Sequence, residues 1–302
     1  MYRTRITALA AGVVMVAGLT ACGSESADGG GDDKVTSDKK AGGLSPLAAL
    51  KKASDQTEKQ ESAKVDGTTD QGTPQGTTSS TMKGELTWAE GGTTGNMDIT
   101  QRGGMVSGTP TEGKPMKARY TADAMFMNMG DEFASTAGKG KHWIKYDYDK
   151  LAETAGASGA FIKDQMQNNN PARSVQLLMA TGKVEKVGTE TVRGKKATHY
   201  SGTVDVSEMA RMQSKELSET ELQELQDQLE QAGMESEKID LWIDGDNLLV
   251  KKQETAKSSN GSSGSYDSTV YYADYGTEVT VEEPPSADTV GFEELTGPGA
   301  GV

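Results

Sequence analysis

The sequence predicts an α+β fold: roughly ten to twelve antiparallel strands, with helices at the start and in two middle insertions. Three observations carry this reading. Short segments rich in Thr, Val and aromatic residues recur between Gly-rich turns. Helix-start signatures stand at Ser45-Pro46, at Asn170-Pro171 and at Ser218 with Glu221. The stretch KIDLWIDGDNLLVKKQETA alternates and turns back at Asp244-Gly245-Asp246-Asn247, the pattern of a long hairpin.

The N-terminus sets the location. Arg3 and Arg5 precede an apolar stretch from Ile6 to Leu19, the layout of an export signal. It falls short of the roughly 20 apolar residues that a comfortable membrane span needs. Leu19-Thr20-Ala21-Cys22 follows directly, and Cys22 is the only cysteine in the chain. Small residues before a cysteine at the end of such a stretch form a bacterial lipobox. Residues 1–21 are therefore expected to be removed and Cys22 to carry acyl chains, each buried CH₂ contributing roughly 0.8 kcal/mol. The exported domain must then fold without disulfides. Loss of Arg3 and Arg5 takes the formal charge from −14 to about −16. That balance argues against nucleic acid as a partner, because phosphate binding requires a cationic face. It also argues against an electrostatic grip on anionic lipid.

Residues 22–44 are a lipidated tether of Gly, Ser, Asp and Lys with almost nothing to bury. The folded domain is expected over 45–290, with 291–302 as a flexible tail. Ser45-Pro46 opens a helix at 46–61 carrying Leu47, Leu50 and Ala53. Thr-rich strands follow at 63–71 and 77–90 around a Gly72–Gly76 turn, then strands at 96–102, 117–121, 124–128 and 141–147. A helical block spans 149–168, and Asn170-Pro171 opens another helix to Ala180 that Gly182 ends. Strands at 183–190 and 196–205 meet through Val192-Arg193-Gly194. Ser218 and Glu221 make a capping box ahead of Leu222, Leu225 and Leu229, a narrow apolar stripe on a charged helix. Beyond the Asp244 hairpin, SYDSTVYYADYG and TEVTVEEPP read as two further strands, stopped by Pro284-Pro285.

Catalytic constellations are missing from the pattern, and the protein is read as non-enzymatic, without cofactor or metal. His142 and His199 are far apart, with no ligand spacing around either. His199 lies in a strand and is read as structural. Gly156-Ala157-Ser158-Gly159-Ala160 lacks the glycine spacing of a nucleophile elbow. Asp244–Asn247 lacks the closing glutamate of a calcium loop.

Methionine is the unusual component, at 14 residues against 4 Phe. Met125, Met127 and Met129 alternate, so a strand would place them on one face. Ile239, Leu241 and Ile243 do the same, with Trp242 opposite. The apolar content of 34% is low for a domain with a large filled interior. A strongly curved sheet with an incompletely filled concave face fits that composition. The expected cavity wall is Met125, Met127, Met129, Leu222, Leu225, Leu229, Ile239, Leu241 and Ile243. Plain core filling accounts for the same residues, and both readings stand at this level.

The chain resembles the actinobacterial LppX/LprG-type lipoproteins of the LolA-like superfamily. The resemblance rests on Cys22, Lys141-His142-Trp143-Ile144-Lys145, Asn170-Pro171, Val187–Gly194 with Thr198–Asp205, Asp240–Asp244 and Tyr272–Gly276, in that order and spacing. It implies a curved antiparallel β half-barrel with helices over the concave face, no universal catalytic residues, and a lipid or other amphiphile held in a hydrophobic cavity. The charged segment 207–232 and the long Gly/Ser turn at 258–265 depart from that pattern. The expected protein is a monomer anchored by lipid on the extracytoplasmic face of the cell membrane. The rival reading is a sensor or interaction lipoprotein that uses 207–232 to contact a cell-envelope protein or cell-wall partner.

Overall fold

Each expected helix start is capped as its residues dictate. In the computed structural model, Ser45 accepts a bond from the Ala48 amide (3.3 Å) ahead of α1 (Pro46–Glu58), and Asn170 accepts from Ala172 (2.8 Å) ahead of α4 (Pro171–Ala180). At α6 (Glu219–Gln231) the capping box closes: Glu221 N–H donates to Ser218 Oγ (3.3 Å) and Ser218 N–H to Glu221 Oε2 (2.8 Å). The structure describes residues 44–296 apart from 90–91, 214–216, 232, 234 and 259–260. Cys22, the signal segment and nearly all of the tether lie outside the described residues.

The strands are β1 (Ser62–Thr73), β2 (Gly76–Thr87), β3 (Thr94–Arg102), β4 (Pro115–Tyr120), β5 (Ala124–Asn128), β6 (Trp143–Asp147), β7 (Glu185–Val192), β8 (Lys195–Asp205), β9 (Ser236–Asp244), β10 (Leu249–Ser258), β11 (Gly261–Ala273) and β12 (Thr289–Gly291). They form one curved, unclosed sheet in the order β12-β6-β5-β4-β3-β2-β1-β11-β10-β9-β8-β7. All pairings are antiparallel except β12 with β6. Arg193 (φ 46°) and Gly194 (φ 86°) make the two-residue β7–β8 turn, and Asn247 (φ 63°) completes the β9–β10 turn. Asp244 Oδ1 accepts from the amides of Asp246 (3.0 Å) and Leu248 (2.9 Å), so its carboxylate fastens the hairpin. Glycine allows the sheet to curl at its centre. A Cβ on Gly84 would stand 2.0 Å from the Asn96 carbonyl of the neighbouring strand.

Helices α2 (Gly130–Thr136), α3 (Tyr148–Gln167), α5 (Val206–Gln213) and α7 (Phe292–Thr296) complete the described α-helices. With α1, α4 and α6, they make an α+β half-barrel whose concave face is covered by helices. Helix α3 is broken at Gly156 (φ 57°, ψ −137°).

Four local expectations are corrected. TEVTVEEPP is not a strand but an extended strap running across the sheet. Ser62 Oγ donates to Thr277 O (2.6 Å), Asn96 Nδ2 to Thr280 O (3.0 Å) and Arg119 to Glu282 O (2.5 Å). Side chains of three different strands take its carbonyls, so it crosses them instead of pairing along one. Met129 leaves its strand: β5 stops at Asn128, and Gly130 (φ 79°) turns the chain into α2. Packing does not stop at residue 290, because Phe292 and Leu295 join the apolar cluster beside β6. Lastly, α5 follows β8 directly and carries the buried Met209 and Ala210, so the charged 207–232 segment holds two helices.

Candidate functional site

The sheet register sorts the side chains of the concave face into rows. One row runs Met116–Ile99–Met82–Gly67–Val270–Lys252–Leu241–Tyr200 across β4, β3, β2, β1, β11, β10, β9 and β8. The next runs Thr69–Ser268–Glu254–Ile239–Gly202. The concave face therefore has two chemistries. Its β2–β6 end is rich in methionine, and its β9–β11 end carries buried ions.

At the ionic end, Lys252 Nζ lies 2.9 Å from Glu254 Oε2 and 3.1 Å from Ser174 Oγ of α4, and Ser174 Oγ donates to Glu254 Oε1 (3.0 Å). Glu254 is 4% exposed and Glu237 2%. Glu237 sits one row on, paired with Ala256 and Val204. Burial first, and then the Glu254 charge, push the Glu237 carboxyl up to about 8 against the opposing pull of Lys252. Burial alone would lower the pKa of Lys252, but the Glu254 carboxylate outweighs it and keeps the ammonium charged. Burial pushes Tyr272, in the same face, up to about 12.

These ions went unpredicted because a bulge brings them inside. Leu249 pairs with Ile243 on the concave side, and the register then slips between Leu249 and Lys251. Val250 and Lys251 both fall on the convex side, where Val250 packs with Trp242 and Lys251 Nζ lies 3.7 Å from the Trp242 ring centre. Beyond the slip, Lys252, Glu254 and Ala256 point inward. The sequence signal was an irregular alternation at LLVKK, which simple period-two reading ignores.

The expected wall residues fall into two buried clusters. Ile239, Leu241 and Ile243 share the concave face with Leu222, Leu225 and Leu229 of α6, in a cluster that also holds Leu50, Val175, Leu178 and Phe161. Met125 and Met127, each 6% exposed, form a second cluster with Met116, Ile144, Tyr146 and Tyr148, and Met129 packs against it from the start of α2. Trp242 does face the opposite way, stacked on His199 at 4.2 Å and 11°. His199 Nε2 meets Asp240 (2.7 Å) and its Nδ1 meets Glu190 (3.2 Å), so both ring nitrogens are engaged on the convex face. His142 joins Asp288 (2.7 Å), just past the strap, and Asp131 (3.3 Å) of α2. Among the described residues, no group of His, Cys, Asp and Glu has the geometry to hold a metal.

The cover is layered. Helices α1 and α4 pack on each other and on the β8–β10 end, whereas α6 packs mainly on α3 and α5. Ser158 Oγ of α3 donates to Gln228 Oε1 of α6 (2.5 Å). No helix among the described residues is long and apolar enough to cross a membrane.

Fold and site together define a helix-covered half-barrel with a methionine-rich and an ionic end. The chain belongs to a family of Streptomyces proteins. It is 44% identical over 254 residues to the "Uncharacterized 31.2 kDa protein in rplA-rplJ intergenic region" of Streptomyces griseus, covering 83% of this chain and 80% of that protein. It is 37% identical over 249 residues to "Putative lipoprotein SCO4650" of Streptomyces coelicolor, covering 82% and 75%. No protein-family model matches. Among solved structures, it is similar to LprF from Mycobacterium bovis (17% identity, TM-score 0.46, covering 80% of this chain and 99% of that one). It is also similar to the lipoprotein LppX from Mycobacterium tuberculosis (14% identity, TM-score 0.46, covering 78% and 97%).

Proposed function

We propose that this protein is a lipoprotein anchored through Cys22 on the extracytoplasmic face of the cell membrane. It binds a lipid or other amphiphile between the concave face and its helical cover, without covalent chemistry. The observation that carries the proposal is the build of that cover. The leucine stripe of α6 lies over the concave face, yet α6 is held mainly by α3 and α5, and α3 is itself broken at Gly156. Such a layer can move without unpairing a strand. The methionines beneath it are flexible and polarisable and can re-pack around an apolar chain, and each Å² of chain removed from water contributes about 25 cal/mol. The anchor is supported by Leu19–Cys22 and by the name of the S. coelicolor relative.

The test is solvent extraction and mass spectrometry of the purified protein, with displacement of a fluorescent fatty acid as the binding readout. A copurified acyl lipid and saturable displacement are expected. Absence of both overturns the proposal. Leu241→Trp sharpens it: filling ligand space should expel the probe with little change in melting temperature. In a close-packed core the same change costs roughly 1–3 kcal/mol.

A further inference from the structure

The methionine-rich end buries a hydroxyl group with nothing to bond. Tyr148, the first residue of α3, is 1% exposed, and its Oη has no hydrogen-bond partner among the described residues. Its backbone is pinned, since Tyr148 N–H donates to Asp123 O (3.0 Å). Tyr120 and Tyr146 flank Met125 in the register of β4, β5 and β6, and the Tyr120 ring packs into the same cluster. A second buried hydroxyl without a partner among the described residues, Thr93 Oγ1, stands just ahead of β3 at the same end of the sheet, where Thr93 N–H donates to Gln167 O at the end of α3 (2.7 Å). Leaving a buried hydroxyl unbonded is costly, so folded proteins rarely keep one without a use.

We propose that the Tyr148 hydroxyl donates a hydrogen bond to an acceptor oxygen of the bound amphiphile, a carboxylate or ester carbonyl, whose chain lies among Met116, Met125 and Met127. This rests on the amphiphile-binding reading and places the polar end of the ligand at the junction of α3 with β4–β6. The geometry suits the chemistry. Phenol hydroxyls present an apolar ring and a single directed donor, and the methionines beside them supply an adaptable apolar wall. The acceptor can come from a free fatty acid or from an ester-linked acyl chain, and the experiment separates the two.

Full-length wild-type protein and Tyr148→Phe are titrated with palmitic acid, methyl palmitate and hexadecane in competition with a fluorescent fatty acid, and both are melted without ligand. Removing an unbonded hydroxyl should leave the melting temperature unchanged or raise it. It should weaken an acceptor-bearing ligand by about fivefold to tenfold, the worth of one hydrogen bond, and leave hexadecane unchanged. Weakening of palmitic acid alone identifies a carboxylate, and weakening of both palmitic acid and its ester identifies the carbonyl oxygen. Equal affinities of the two proteins for all three compounds overturn the proposal while leaving amphiphile binding intact. A lowered melting temperature for Tyr148→Phe also overturns it, because the hydroxyl would then serve the fold. Failure of the wild type to bind any of the three overturns the binding reading and this proposal together.

Discussion

Lys252 and Glu254 sit two residues apart on β10 and pair inside the concave face, Nζ to Oε2 at 2.9 Å, with side chains only 13% and 5% exposed. Removing either charge leaves the other desolvated and alone. Lys252→Met should therefore cost about 3–5 kcal/mol, whereas Lys252→Met with Glu254→Met should recover most of the loss, since a buried pair seldom outperforms apolar residues of similar volume. Urea denaturation of the two variants checks this. A double variant no more stable than the single one contradicts it.

The pH dependence of stability should carry the signature of Glu237. Its folded pKa is about 8 against an ordinary 4.5. Between those values the folded state keeps a proton that the unfolded state releases, so stability falls as pH rises from about 4.5 to about 8, by up to about 1.4 kcal/mol per pH unit. The Lys252 pKa is raised from 10.5, so Lys252 is charged in both states throughout that window. Denaturation midpoints at pH 5.5, 7.0 and 8.5 should decline, and Glu237→Gln should flatten the decline.

His142 should fasten the segment just past the strap, around Asp288, in a pH-dependent way. Its hydrogen bond to Asp288 raises its pKa above 6.5, with Asp288 and Asp131 charges adding to the effect and burial opposing it. The stabilisation is present below 6.5 and is lost as pH rises through the folded value. Hydrogen exchange over residues 286–296, corrected for intrinsic rates, should quicken from pH 6 to pH 8.5 in the wild type. His142→Gln should show no such step.

Leu225 is 3% exposed and sits in the middle of the α6 stripe. Truncation to Ala should cost about 2–3 kcal/mol, the low end for a buried leucine, because the helices around it can close the gap. It should also speed release of a bound fluorescent fatty acid. Stopped-flow displacement beside a denaturation curve tests both halves. A stability loss without any change in release would make α6 plain core.

Cys22→Ala should abolish lipidation and move the protein from the detergent phase to the aqueous phase on phase partitioning. Equal partitioning of variant and wild type would place the anchor elsewhere.

The sequence by itself determined the elements whose signals are local. Ser45-Pro46, Asn170-Pro171 and the Ser218–Glu221 box start helices because their side chains satisfy the first amides of the very segment they precede. The Arg193-Gly194 and Asp244–Asn247 turns are equally self-contained, and alternation alone put Trp242 opposite Leu241. The tertiary structure decided whatever depended on a neighbour. TEVTVEEPP alternates like a strand, but side chains of β1, β3 and β4 claim its carbonyls and turn it into a strap. Met129 continues a perfect alternation, yet Gly130 ends the strand before it. The bulge after Leu249 sends Lys252 and Glu254 inward against the expectation for charged residues, where they pair with each other and Ser174, on a helix from elsewhere in the chain, bonds both. A hydrogen bond within one segment is written in that segment's residues, whereas the face a strand turns to the core is settled by every strand it must pair with.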